Sequence, residues 1–176
     1  MPNHSEPNTQ RLGTGMLIVA AVLILGLFTL VFDRLIDQQA NPNQTLTATI
    51  SGDGYREVTL GRNRGGHYVA SGTINGSPVT FLLDTGATTV TVSADLAGRL
   101  GLPRGGEILT QTANGQIVTY ATRLDSVNLG GLQRRDVAAT INPQMRGNDV
   151  LLGMSFLGQL EFNQRGDTLT LRQWMN

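Results

Sequence analysis

Twenty-one consecutive residues, Leu12 to Phe32 (LGTGMLIVAAVLILGLFTLVF), carry no charge. At about 1.5 Å per helical residue, such a run just crosses a hydrocarbon core of about 30 Å. This constrains the architecture more than any other feature, because the stretch has to be sheltered by lipid or by protein. A buried helix of a small domain usually keeps a polar face, and this run has none. A secretory signal is the rival reading, but its apolar region usually spans about 7–15 residues, and no small-x-small cleavage site follows Phe32. The sequence therefore predicts a short tail over 1–11 and one transmembrane helix over 12–32. Arg11 lies on one side of the run, and Asp33, Arg34 and Asp37 lie on the other. This slight positive-inside bias places the N-terminus in the cytoplasm and the rest outside.

Residues 33–53 turn polar, with Gln, Asn, Thr and a Pro and no sustained periodicity, and are expected to form a flexible stalk. Over 54–176 the pattern changes again. Short stretches rich in Val, Ile, Thr and Leu alternate with glycine-bearing turns: Glu57–Leu60, His67–Thr73, Val79–Leu83, Thr88–Val92, Ile108–Thr112, Ile117–Thr122, Val127–Leu129, Val137–Ile141, Val150–Leu152 and Thr168–Leu171. So many short strands predict an all-β domain. Asn75-Gly76 and Asn114-Gly115 lie between strand-like runs, and this dipeptide suits the φ > 0 positions of tight hairpins. One helix is predicted over Ala94–Leu100, with Ser93 as N-cap, Asp95 in its first turn and Gly101 past its end. A second short helix is expected after Gly153.

Composition narrows the chemistry. The 176 residues include 13 basic and 13 acidic side chains, and every basic one is arginine. Without lysine there is no Walker-type phosphate loop, Schiff-base site or Ser-Lys dyad; without cysteine there is no thiolate nucleophile or Cys-ligated zinc. The balanced charge argues against a nucleic-acid footprint, so no nucleic-acid partner is expected. The two histidines are His4, in the polar tail, and His67. A serine hydrolase would need His67 as its base and a nucleophile elbow, and no such elbow is found. His67 reads as a packed or hydrogen-bonded residue opening a strand. What remains is mainly carboxylate chemistry.

The run Val79-Thr80-Phe81-Leu82-Leu83 leads straight into Asp84-Thr85-Gly86-Ala87, and strand-like composition then resumes. A carboxylate is thereby presented on a turn between two buried strands. Further on, Val150-Leu151-Leu152-Gly153 is trailed by the helix-like Met154–Leu157, and Gln111–Gln116 lies between the two elements. This order resembles the single-domain, retropepsin-like aspartic proteases, whose signature is an apolar strand ending in D-[TS]-G-[AST]. The N-terminal helix resembles, in particular, the bacterial membrane-anchored group. The likeness covers roughly Gly66 to Asn176.

The resemblance implies a closed retropepsin-like barrel with one or two short helices, with Asp84 as the catalytic carboxylate. Thr85 would bond across to a partner's loop, Gly86 would admit the backbone close to the carboxylates, and Ala87 stands where many relatives carry a hydroxyl. Leu152 and Gly153 would pack behind the loop. Thr112, Ala113, Asn114 and Gly115 would form a flap over an extended peptide. No metal or organic cofactor is implied. The location implied is a bacterial inner membrane, with the catalytic domain in the periplasm, and an arginine-only chain suits a GC-rich bacterial genome.

The chemistry gives its own reason for a partner. Hydrolysis of a peptide bond by a water held between two carboxylates needs one ionised and one neutral group. Asp84 is the only aspartate followed by Thr or Ser and then Gly. One copy per chain predicts a homodimer, with Asp84 meeting its symmetry mate and the two sharing a proton. Trp174 is expected either in a dimer sheet or in core packing. The rival from another class is a non-catalytic module that binds peptides or dimerises at the membrane.

Overall fold

The computed structural model describes residues 9–112 and 115–175. The chain divides into two compact units, one ending at Asp37 and the other comprising Gln38–Asn176. In the first, α1 runs over Thr9–Ala40 and is longer than the 12–32 helix read from the sequence. Residues 33–40 (DRLIDQQA) contain no glycine or proline and several good helix formers, so nothing local stops the helix before Asn41-Pro42. The span Gly15–Ala40, with a mean hydropathy of 2.8 in its most apolar window, is long and apolar enough to cross a membrane, and its apolar side chains are exposed.

The expected flexible stalk over 33–53 needs correcting. Its first part is helix, and most of the remainder is fastened to the β-domain. Asn43 is buried. Its side-chain amide donates to the carbonyls of Gly61 (2.8 Å) and Val69 (2.7 Å), and its Oδ1 accepts from the Gly61 N–H at 2.8 Å. Its backbone carbonyl accepts from Ser71 at 3.1 Å, and the Asn41 amide donates to the Ser71 hydroxyl at 3.0 Å. Leu46 and Ala48 pack on the core, and the short β1 (Thr49–Ile50) pairs with the next strand.

The strands that follow in chain order are β2 (Tyr55–Gly61), β3 (Val69–Ile74), β4 (Ser77–Leu83) and β5 (Val90–Ser93). Next come α2 (Ala94–Arg99), β6 (Glu107–Thr112), β7 (Gly115–Leu129), β8 (Leu132–Asn142) and β9 (Asp149–Leu152). The chain then runs through α3 (Met154–Leu157), β10 (Glu161–Arg165) and β11 (Thr168–Trp174). The larger sheet has the order β3-β4-β9-β5-β8-β7-β6. An additional β3–β7 pairing, Thr73↔Asn128 and Ile74↔Val127, closes six of these strands into a ring and leaves β6 hanging from β7. The expected all-β closed architecture with two short helices is therefore present.

The core fills this ring. Phe81, Val90, Val92, Leu124, Leu129, Val150, Leu152 and Phe156 are almost completely buried, and truncating one of the large ones costs about 3–5 kcal/mol. The Asn75-Gly76 turn joins β3 to β4 with φ of 51° and 79°, as a two-residue hairpin requires. Ser93 caps α2, its hydroxyl accepting from the Leu96 N–H at 3.0 Å. The two runs read over 117–122 and 127–129 form one 15-residue strand, which turns back through Gly130-Gly131, both at positive φ.

A second sheet, β1-β2-β11-β10, carries the chain's end. Arg172 and Glu57 pair across β11 and β2, and the hydrogen bond to Glu57 raises the guanidinium pKa further. Trp174 is not part of the core. It is 53% exposed, lies edge-on to Tyr55 with ring centroids 5.3 Å apart, and donates its indole N–H to Glu161 at 2.8 Å. It pairs with Tyr55 of β2, whereas β10 pairs with β11 only over Thr168–Arg172. His67 precedes β3 instead of opening it and is exposed, with its backbone N–H bound to the Asn63 side chain.

Candidate active site

The turn at Asp84 exists because β4 has nowhere further to pair. Its last residues run parallel to β9 in the register Leu82↔Leu151 and Leu83↔Leu152. The Asp84 N–H then takes the Leu152 carbonyl at 3.1 Å, and the chain turns. The Asp84 carboxylate accepts the Gly86 N–H at 2.8 Å, and its backbone carbonyl accepts the Ala87 N–H at 3.3 Å. This is the self-capping turn that aspartate favours. A Cβ at position 86 would lie 3.2 Å from Asp84 Oδ1, so glycine keeps the carboxylate uncrowded. Asp84 is partly exposed, and Thr85 and Gly86 are exposed.

Behind the turn, Leu152 is fully buried and Gly153 fills a space no side chain can enter. A Cβ there would meet the Thr89 carbonyl oxygen at 2.3 Å and that of Ala87 at 2.6 Å. The start of α3 is stitched to the same turn, with Met154 N–H to Ala87 O at 2.8 Å and Ser155 N–H to Thr88 O at 3.0 Å. Ser155, which no sequence signal singles out, completes the support. Its hydroxyl accepts from the Val90 N–H at 2.9 Å and donates to the Ala138 carbonyl at 2.8 Å.

A cleft of about 700 Å³ opens between this turn and the β6–β7 hairpin. Asp84, Gly86 and Ala87 line its floor side, and Ile108, Leu109, Gln111, Thr112 and Ile117 line its hairpin side. Asp84 is the only charged residue among the described residues lining it. Threonines 89, 91 and 140 join their hydroxyls at 3.2 and 3.1 Å on another wall, a group the sequence did not flag. The structure therefore brings Asp84, Gly86, Ala87 and Thr112 to one cleft. Gly115 pairs opposite Thr112, and Thr112 Oγ1 donates to the Gly115 carbonyl at 2.7 Å. Ala113 and Asn114 lie outside the described residues.

Thr85 lines a different hollow of about 400 Å³, shared with Tyr68, Leu83, Leu157, Phe162 and Gln164. No group of three or more metal-ligating His, Asp or Glu side chains comes together among the described residues. One carboxylate on the floor side of a cleft whose described lining is otherwise uncharged can hold and polarise a water. Activating that water and protonating a carbonyl at the same moment requires a second acid.

Comparison with known proteins agrees with this geometry. Residues 70–159 match the family described as "gag-polyprotein putative aspartyl protease". A Sinorhizobium sp. relative, "Uncharacterized protein in cobV 5'region", is 32% identical over 130 residues, covering 72% of this chain and 56% of its own. The chain thus spans just over half the length of that relative. Among solved structures, a retropepsin-like aspartic protease from Rickettsia conorii superposes with a TM-score of 0.56 and 25% identity, over 69% of this chain and 94% of that one. The EIAV protease complexed with the inhibitor HBY-793 gives a TM-score of 0.44 and 22% identity, over 55% of this chain and 89% of that one.

Proposed function

The chain belongs to the gag-polyprotein aspartyl protease family and has a retropepsin-like fold, and from that premise we propose that it is a membrane-anchored aspartic endopeptidase that works as a homodimer. The observation that carries the reading is the position of Asp84, the sole charged group among the described residues of a cleft roomy enough for an extended peptide. In a two-fold dimer the Asp84 carboxylates of both copies meet and share one proton. The ionised member takes a proton from the bound water while the neutral member donates to the carbonyl oxygen of the scissile bond. The resulting tetrahedral centre collapses as a proton passes to the departing nitrogen, and the C–N bond breaks.

The surrounding residues have supporting parts in this proposal. Gly86 and Gly153 allow the turn its close packing, Leu152 backs it, and Ala87 leaves the carboxylate without a neighbouring side-chain hydroxyl at that position. The hairpin bearing Thr112, Ala113, Asn114 and Gly115 covers the peptide, whose backbone extends the hairpin as an added strand. The apolar part of α1 over 12–32 spans a bacterial inner membrane, with the protease domain on the periplasmic side. Tethering confines the copies to a surface and raises their effective concentration.

The test uses the full chain in membranes against a peptide library over about pH 3–7. The wild type cleaves and is blocked by a transition-state inhibitor of aspartic proteases. Asp84→Asn loses at least about a thousandfold in turnover while peptide binding and dimerisation persist. A wild type that holds peptides without cleaving any of them overturns the reading in favour of a peptide-binding module.

A further inference from the structure

Arginines gather at one end of the β-domain. The loop between β2 and β3, residues 62–67 (RNRGGH), carries Arg62, Arg64 and His67, all exposed, and no carboxylate. The β10–β11 turn lies beside it. The Arg62 N–H bonds the Asp167 carbonyl at 2.8 Å, which brings the exposed Arg165 to the same end. In these two segments the only carboxylate is Asp167, which is 83% exposed and 3.4 Å from Arg62. Arg64 donates to the neutral side chain of Gln39 at 2.9 Å, and Arg165 makes no ion pair among the described residues. The whole chain is formally neutral, so this local excess of positive charge comes from placement and not from composition.

The loop is preformed and tied to the end of α1. Asn63 donates its N–H to the His67 carbonyl at 2.8 Å and accepts the Gly66 N–H at 3.0 Å, while its side chain accepts the His67 N–H at 2.9 Å. The Asn63 amide donates to the Ala40 carbonyl at 3.0 Å, next to the Arg64–Gln39 bond. Gln39 lies seven residues beyond Phe32, where the charge-free run ends. At about 1.5 Å per residue this is at most about 10 Å of helix, and any tilt shortens the climb. The headgroup layer extends about 5–8 Å outside the hydrocarbon, and long arginine side chains reach back towards it. Arg64 is therefore within reach of lipid phosphates by chain length alone.

We propose that this end of the β-domain, through Arg62, Arg64 and Arg165, docks on the phosphate headgroups of the bilayer that α1 crosses and holds the domain at the membrane surface. The planar guanidinium fork matches a phosphate with two parallel hydrogen bonds, and anionic lipid adds a salt-dependent attraction. The inference rests on the membrane-anchored reading above and is independent of catalysis.

The chain has no cysteine, so Gly65→Cys installs a single thiol in the loop, where a Cβ meets nothing closer than 3.4 Å. The full-length variant, labelled there with an environment-sensitive fluorophore, is reconstituted into vesicles of equal parts phosphatidylcholine and phosphatidylglycerol that contain a headgroup spin label. The fluorophore should be quenched. Changing Arg62, Arg64 and Arg165 together to Gln should lower the docked-to-undocked ratio on the order of a hundredfold at low salt, about fivefold for each arginine. Molar salt should release the wild-type loop, and changing the same three residues to Lys should retain most of the docking, neither of which a merely structural role for the arginines would produce. Leu25→Cys, on the exposed apolar surface of α1, reports the anchor through a spin label deep in the acyl chains. If that label is quenched while the loop label is unquenched, or is quenched equally with arginine and with glutamine, docking is overturned and the anchor stands. A Leu25→Cys label that never meets lipid overturns both.

Discussion

The Asp84 turn and the β6–β7 hairpin face each other across one cleft, yet they are built on opposite principles. The turn is held from several directions by backbone hydrogen bonds to Leu152, Met154 and Ser155, and by close packing at Gly153 that excludes even a methyl group. Among the described strands β6 hangs on β7 alone, and midway along it Leu109 is 66% exposed. Local stability in a protein is uneven, and elements with few buried contacts open most easily. A group that must meet reacting atoms within tenths of an ångström belongs on the first kind of support, and an element that admits and covers a chain belongs on the second.

The sharpest way to break this contrast is to loosen the rigid side. Gly153→Ala puts a methyl against two backbone carbonyls that cannot move independently of the turn. We expect it to destabilise the domain by about 3 kcal/mol or more, seen as a large fall in Tm, and to abolish peptide hydrolysis. Ser155→Ala is a milder cut on the same side. It leaves the Val90 N–H and the Ala138 carbonyl without their partner and should cost about 1–3 kcal/mol in thermal unfolding.

On the hairpin the expected pattern reverses. Leu109→Ser touches an exposed cleft-lining residue, so stability in thermal unfolding should move by no more than about 0.5 kcal/mol, while KM for an apolar peptide rises roughly tenfold. A rise in KM with kcat preserved sharpens the division of labour, whereas a collapse of stability would erase it. The smallest effect is expected at the hairpin's root, where Arg123 on β7 forks onto the Asp136 carboxylate on β8. The hydrogen bond from Arg123 lowers the Asp136 pKa in the folded chain. The stability this pair contributes is therefore present above the unfolded carboxylate value and is lost as pH falls through the depressed folded one. Asp136→Asn, which tolerates the positive φ of 55° at this position, should melt slightly below the wild type near neutrality and with it in acid. Both groups are exposed, so added salt should shrink the difference.

What could be read beforehand followed from local chemistry. Asn75-Gly76 demanded a tight turn, Ser93 demanded a cap, and the apolar strand entering Asp84 demanded burial on either side of a carboxylate; the structure contains all three. Elements defined by distant partners were hidden. β10 has one apolar residue in five and no buried position, so no hydrophobic pattern marked it. Arg123, Asp125 and Ser126 interrupt the apolar pattern and split β7 in two, although the strand continues through them. Ser155 looks like any helix serine until Val90 and Ala138 are brought beside it. The cleft and its lone charge could be anticipated only as far as the likeness to known proteases reached, because its hairpin side and its floor lie far apart in the chain.

Asn43 has a practical corollary for anyone wishing to trim this protein. A fragment beginning at Gly54, the boundary suggested by composition, would discard the side chain that serves both the N–H and the carbonyl of Gly61 and the carbonyl of Val69. It would also strip Leu46 and Ala48 from the core's flank and leave Ser71 without its backbone acceptor. Scissors placed upstream of Asn41 spare all of these, so any proteolytic release that leaves the β-domain whole has to fall within or before the closing turns of the long helix.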